Sequence, residues 1–174
     1  MKKSLFLFFI LLSSISWSQE NLNNGMKDYL SNNGTLGYYA QVVDRMFDFF
    51  KNEYQGQLVP EELWEDLAEV KPEALNDITQ SIIQTYKAHF SNAELVDMLK
   101  FYNSEVGKKA NAGLKLSEDE MKIKNEFSES VVSKKISESS ESLNTVLKSI
   151  TQEWSAQLFL DVQAKLKAKG FTKQ

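Results

Sequence analysis

Residues 90–109 read FSNAELVDMLKFYNSEVGKK, and residues 116–135 read LSEDEMKIKNEFSESVVSKK. Each stretch places a serine three residues before a glutamate, inside a pair of apolar residues. That is the chemistry of a helix start: the Ser91 hydroxyl accepts from the Glu94 N–H, the Glu94 carboxylate accepts from the Ser91 N–H, and Phe90 and Leu95 close a hydrophobic staple around them. The pattern predicts a helix from Asn92 to about Asn103, with Leu95, Met98, Leu99 and Tyr102 available for packing. Ser104 is then placed to cap a second helix running toward Ala112, before Gly113 interrupts it, so the two helices form a tight corner.

At an offset of 26 residues the layout returns. Ser91, Glu94, Leu95, Phe101, Ser104, Val106, Lys108 and Lys109 correspond to Ser117, Glu120, Met121, Phe127, Ser130, Val132, Lys134 and Lys135, with seven of the eight pairs identical. Leu116 and Met121 repeat the staple. A duplicated helical hairpin is therefore expected over 91–109 and 117–135.

Outward from this core the periodicity stays helical. Between Gly113 and Gly170 there is neither glycine nor proline. Leu143, Leu147, Ile150, Trp154, Leu158, Val162 and Leu166 make one long stripe, and Lys165, Lys167 and Lys169 suit the negative end of a helix dipole. The segment SESSES, Ser137 to Ser142, is the expected place for a bend, because its hydroxyls compete for backbone partners; an unbroken helix is the alternative. The stripe serves either as a dimer seam or as one face of a bundle helix, and Phe159 and Leu160 widen it toward the bundle.

Toward the N-terminus, Tyr39, Val43, Met46, Phe47, Phe50 and Tyr54 recur at intervals of three and four, a second helical stripe. Pro60 suits the first turn of a short helix, where Glu61 and Glu62 meet the positive end of its dipole and Leu63, Trp64, Leu67 and Val70 face inward. Pro72 opens a longer helix carrying Leu75, Ile78, Ile82, Ile83 and Tyr86. No segment shows sustained strand alternation. The expected fold is all-α: a compact antiparallel helical bundle with a duplicated short hairpin and a long C-terminal helix, forming a single domain over 37–170.

The first 18 residues have the marks of an export signal: Lys2 and Lys3, the apolar run Leu5 to Leu12, and small residues Ser16 and Ser18 before Gln19. The apolar run is too short for a membrane span, which takes about 20 residues. Cleavage near Ser18–Gln19 would deliver the chain to the periplasm or outside the cell. Residues 19–36, with five asparagines and two glycines up to Gly34, are expected as a flexible leader. Asn33-Gly34-Thr35 fits a glycosylation tripeptide and equally a turn.

The 174-residue chain has no cysteine and a single histidine, His89. Thiol catalysis, disulfides and cysteine-built metal sites are thereby excluded. One histidine cannot make a two-histidine metal site, and its neighbours Ala88 and Phe90 suggest a structural or solvated helix end. No nucleophile elbow, zinc-protease helix, dinucleotide or phosphate loop, or EF-hand is present. Glu118, Asp119 and Glu120 fall in a helix first turn, where capping is the ordinary role. Loss of Lys2 and Lys3 leaves 18 basic against 24 acidic residues, a net charge near −6. Nucleic acid is a poor partner for such a chain, since affinity there rests on basic contacts to phosphate. No catalytic residue, cofactor or metal ligand is assigned.

The stretch from Val59 to Lys109, through VPEELW, YKAHFSNAEL and KFYNSEVGKK, resembles the DUF2059 family of exported bacterial helical domains. Phe90, Glu94, Leu95, Phe101, Tyr102, Ser104, Gly107 and Lys108 match its pattern, and Glu105 stands where proline is common, a change a helix first turn accepts. The resemblance implies export and an all-helical fold. It carries no biochemical activity, so these eight positions are expected to be structural.

The aromatic residues suggest binding. Tyr38, Tyr39, Phe47, Phe49, Phe50 and Tyr54 crowd one helix, and Phe49 faces away from its main stripe. Tyr38, Phe49 and Tyr54 are the candidate interaction surface, with an aromatic groove between this helix and the repeated hairpins expected to hold an envelope protein. A groove holding an apolar small molecule or lipid is the alternative, and a hydrolase the third reading. The chain is expected as a monomer or homodimer.

Overall fold

The computed structural model describes residues 19–172, and among these every regular element is helical. The export signal expected over residues 1–18 lies outside them. In chain order the helices are α1 (19–32), α2 (Thr35–Glu53), α3 (Glu61–Ala68), α4 (Lys71–His89), α5 (Asn92–Tyr102), α6 (Glu105–Asn111), α7 (Glu118–Ser128) and α8 (Val131–Ala168). A single 3-10 turn, Gln55–Gln57, follows α2.

The described residues group into two compact units. One comprises residues 19–33 and 86–140, the other residues 34–85 and 141–172. Helices α4 and α8 each contribute one part to each unit. Periodicity along these helices is continuous, so the sequence pattern carries no sign of where their packing neighbours change.

In the first unit, the segment expected as a flexible leader is helix α1. Leu22, Met26 and Leu30 recur every four residues and are buried to 6%, 0% and 1% exposure. Gly25 brings the backbone close to α5: a Cβ there would lie 3.2 Å from Leu99 Cδ1, and Asn103 Nδ2 donates to the Gly25 carbonyl at 2.8 Å. The asparagines that lowered the segment's hydropathy make tertiary bonds, Asn32 Nδ2 donating to Asn103 Oδ1 at 3.4 Å and Asn23 Oδ1 accepting from Lys87. Three apolar residues on one face are enough to order a helix that has a neighbouring apolar surface to cover.

The second unit is built around Val43, Phe47, Phe50 and Tyr54 of the α2 stripe, Trp64 and Leu67 of α3, Ala74 of α4, and Leu158, Val162 and Leu166 of α8. Two polar contacts set the placing of α8. Trp154 Nε1 donates to the Ala74 carbonyl at 2.9 Å, and the Tyr39 hydroxyl shares a 2.6 Å hydrogen bond with Thr151. Pro60 lies one position earlier than expected, as the extended N-cap of α3, with Glu61 and Glu62 in the first turn.

Helix α8 passes unbroken through Ser137 to Ser142. Ser137 Oγ donates to the Ser133 carbonyl at 3.2 Å and Ser140 Oγ to the Ser137 carbonyl at 2.8 Å, so these hydroxyls are satisfied within the helix they were expected to disturb.

The order of α1 has a measurable consequence. Met26→Ala should lower stability by about 2–5 kcal/mol, as truncation of a buried side chain does. Denaturant unfolding of the mature chain checks this, and an unchanged midpoint would return residues 19–32 to the status of a leader.

Candidate functional site

The two hairpins supply the clearest constellation in the chain. Both expected capping boxes are formed. Ser91 Oγ accepts from the Glu94 N–H at 3.4 Å while Glu94 Oε2 accepts from the Ser91 N–H at 2.7 Å; the corresponding distances at Ser117 and Glu120 are 3.3 and 2.8 Å. Ser104 and Ser130 cap the following helices, accepting from the Gly107 N–H at 3.1 Å and the Ser133 N–H at 3.2 Å. The copies then diverge. Helix α6 spans seven residues and ends at Asn111, followed by the cap residue Ala112 and by Gly113, whose φ of +66° is left-handed, whereas the second arm continues as the 38-residue α8.

The hairpins engage each other reciprocally. Glu94 of the first accepts from Lys135 of the second at 2.7 and 2.8 Å, and Glu120 of the second accepts from Lys109 of the first. Phe101 stacks on its own counterpart Phe127 with centroids 4.0 Å apart and planes within 5°. Equivalent residues exchanging partners, with one residue lying on its own equivalent, is the arrangement of a two-fold axis. The sequence repeat is thus a local two-fold pair of hairpins.

The residues matching the family pattern are parts of this frame. Phe90 and Leu95 are buried at 3% and 0% exposure. Gly107 is set where a Cβ would fall 2.1 Å from the Phe101 carbonyl oxygen and 2.8 Å from Tyr102 Cα, so the corner between α5 and α6 admits no side chain. Lys108 lies at the surface 3.3 Å from Glu105. Tyr102 joins Tyr29 and Tyr86, its ring 5.2 Å from that of Tyr29 and 5.3 Å from that of Phe127. Burial, followed by the neighbouring Tyr29, pushes the Tyr86 and Tyr102 phenols up from their ordinary value, which keeps them protonated hydrogen-bonding groups.

Glu94 is held down to about 2 from 4.5, by hydrogen bonds from Lys135 first and from Ser91 next; Glu120 is lowered by the same pair of causes, Lys109 and Ser117. Both therefore stay ionised acceptors, unsuited to general acid–base work near neutrality. Asp119 pairs with Lys122 at 2.8 Å. His89 ends α4 with its ring beside Phe90. Among the described residues, no group of three or more His, Asp or Glu is arranged to hold a metal ion.

The three candidate interaction residues separate. Tyr38 is 55% exposed and Phe49 43%, but Tyr54 is 2% exposed, a correction to its place on the expected surface. Tyr54 caps the end of α2 and its ring packs 6.3 Å from Phe50, four residues before it, so it belongs with the buried stripe. The rings facing Phe49 are Phe50 at 5.9 Å and Phe159 of α8 at 6.0 Å, with Phe159 stacked on Phe50 at 4.7 Å. Leu160, 54% exposed, follows it on α8.

Three open depressions flank these elements. One of about 430 Å³ runs between α4 and α8, floored by Val70, Ala74, Trp154 and Leu158 and edged by Glu73, Asp77 and Asp161. A second of about 490 Å³ lies beside Tyr54, Leu160 and Phe171, and a third of about 530 Å³ lies between α1 and α5 beside Leu22, Val96 and Leu99. Sequence reasoning missed the first. Glu73 and Asp77 share a helix face by their four-residue spacing, but nothing local places Asp161 opposite them.

Two outcomes follow from the hairpin geometry. A carboxylate whose folded pKa is depressed contributes stability above its unfolded value and loses it as pH falls through the folded value, so Glu94 should support the fold fully above pH 4.5 and progressively less toward pH 2. Glu94→Gln should flatten that part of an acid-unfolding curve, and an unchanged curve would remove Glu94 from the frame. Gly107→Ala should cost about 1–3 kcal/mol by overpacking the corner, read as a lower denaturation midpoint.

Among known proteins, the model of the family described as "Uncharacterized protein conserved in bacteria (DUF2059)" matches residues 76–112. No curated protein and no solved structure matches the chain. The matched segment runs from within α4 through α5 and α6, and so contains the first hairpin, its capping box and the Gly107 corner. The likeness to DUF2059, a family of uncharacterised bacterial proteins, is carried by that segment.

Proposed function

We propose that the protein is a non-catalytic helical interaction module of the bacterial envelope, binding another envelope protein through the aromatic face shared by α2 and α8. The observation that carries this reading is Phe49, a phenylalanine 43% exposed at the edge of a three-ring stack with Phe159 and Phe50 and near exposed Leu160. An aromatic ring held at the surface by rings beneath it is a preorganised contact, with little rotamer freedom to lose on binding. Export to the periplasm, or secretion, rests on the sequence of the first 18 residues. The ionised, fully bonded state of Glu94 and Glu120 supports a framework role for the most ordered carboxylates.

A carrier of an apolar small molecule or lipid is the second reading. It draws on the depression between α1 and α5, whose 530 Å³ is within the range of ligand sites, roughly 300–1,000 Å³.

Native mass spectrometry of protein purified from its host's soluble envelope fraction separates the two readings and reports the N-terminus. A chain beginning at Gln19 with a stoichiometric protein companion, lost in Phe49→Ala while the helical circular dichroism is retained, is the expected result. A stoichiometric small adduct with no protein companion would overturn it in favour of the carrier, and Met1 on the mature chain would overturn export.

A further inference from the structure

The negative charge of the chain is concentrated. Residues 34–85 and 141–172 carry 13 carboxylates against 7 basic side chains, while residues 19–33 and 86–140 carry 11 against 10. In the first of these units the acidic groups have two different fates. Some are spent within the fold, such as Asp44, which pairs with Lys71 at 2.7 Å, and Glu61, which pairs with Lys51 at 2.9 Å. Glu73, Asp77 and Asp161 are not. Each is exposed, and none has a basic nitrogen within 4.0 Å among the described residues. Asp161 accepts only from its helical neighbour Gln157, at 2.8 Å.

These three carboxylates rim one depression, with Glu73 and Asp77 contributed by α4 and Asp161 by α8. Its floor is apolar. Ala74 and Leu158 are buried core residues, and the Trp154 indole has already committed its N–H to the Ala74 carbonyl. Lys165 is the single cation beside the groove. An apolar floor with an unpaired acidic rim discriminates by sign: it repels anionic lipid and nucleic acid and complements a side-chain pattern of apolar residues flanked by Lys or Arg. Its volume of about 430 Å³ suits the apolar side chains of a short helical segment.

We infer that the α4–α8 groove is a docking site for a basic amphipathic helix of a partner protein, whose apolar face lies over Ala74 and Leu158 and whose basic side chains meet Glu73, Asp77 and Asp161. This rests on the reading of the protein as an interaction module and adds to it the partner's chemistry at a surface separate from Phe49.

The test uses the mature protein and a fluorescein-labelled helical peptide with a leucine face and a lysine face, followed by anisotropy at physiological salt. Saturable binding is expected, weakened about tenfold or more in Glu73→Gln/Asp77→Asn/Asp161→Asn and weakened again as salt rises. All three positions are exposed, so circular dichroism should be unchanged in the variant. The control Glu62→Gln/Glu65→Gln/Asp66→Asn removes equal charge from α3 and should leave binding intact. Equal weakening in both variants would overturn the site in favour of a diffuse field. Binding of a control peptide with glutamate in place of each lysine at similar affinity, absence of saturable binding, or loss on Phe49→Ala in place of the rim variant would each overturn it as well. Capture of the native companion through Phe49 is read separately, so failure of the groove and failure of the interaction module are distinguishable.

Discussion

A carboxylate at the start of α5 serves two structures at once. Glu94 closes its own capping box on Ser91 and accepts Lys135 from the other hairpin, and Glu120 does the same for Ser117 and Lys109. The local and tertiary tasks reinforce each other. A carboxylate already held by the backbone has lost its rotamer freedom, so the lysine meets a prepaid acceptor. With the Phe101–Phe127 stack between them, one exchange joins α5 to the start of α8, 41 residues away, and the other joins the consecutive helices α6 and α7. The remaining parts of that unit depend on them: α1 packs onto an α5 whose position is set, and the corner at Gly107 brings α6 to the place from which Lys109 reaches Glu120.

The other unit is held by a different kind of constraint. Its core is aromatic and aliphatic, and ring packing together with the hydrogen bonds of Trp154 and Tyr39 decides where α8 lies. Trp154 and Tyr39 illustrate the point. Their rings meet edge to face at 5.4 Å while each gives its polar atom to a different helix, so a single contact orients three elements. Packing of this type leaves rings at its margin with one face buried and one in water, which is how Phe49 comes to be at once anchored and exposed.

The polar groups with shifted pKa values are bound within the fold. Glu94 and Glu120 are held ionised and Tyr86 and Tyr102 protonated, while burial lowers Lys87, whose ammonium donates to Asn23. What distinguishes the surface is the contrast between two faces flanking α8, one aromatic and one acidic over an apolar floor. Both are suited to recognition by shape and charge.

Helix starts and helix faces were legible in the sequence because they are settled within four residues. A serine and a glutamate three apart close a capping box whatever surrounds them, and apolar residues at intervals of three and four must share a side. The repeat was legible for the same reason, each copy specifying its own start. Events between distant residues were not legible. No local signal says that Lys135 answers Glu94, that Phe101 lies on Phe127, or that Asp161 stands across from Glu73. The leader was misread because composition averages over a segment, whereas ordering depends on one face: Leu22, Met26 and Leu30 share a side, and α1 meets both α4 and α5. Tyr54 was misplaced because an aromatic side chain at the end of a stripe serves equally as core or as surface, until the fold brings Phe50 and the residues of α3 and α8 around it. Local hydrogen bonding and periodicity thus determined the elements, and only tertiary packing decided which side chains were left facing water.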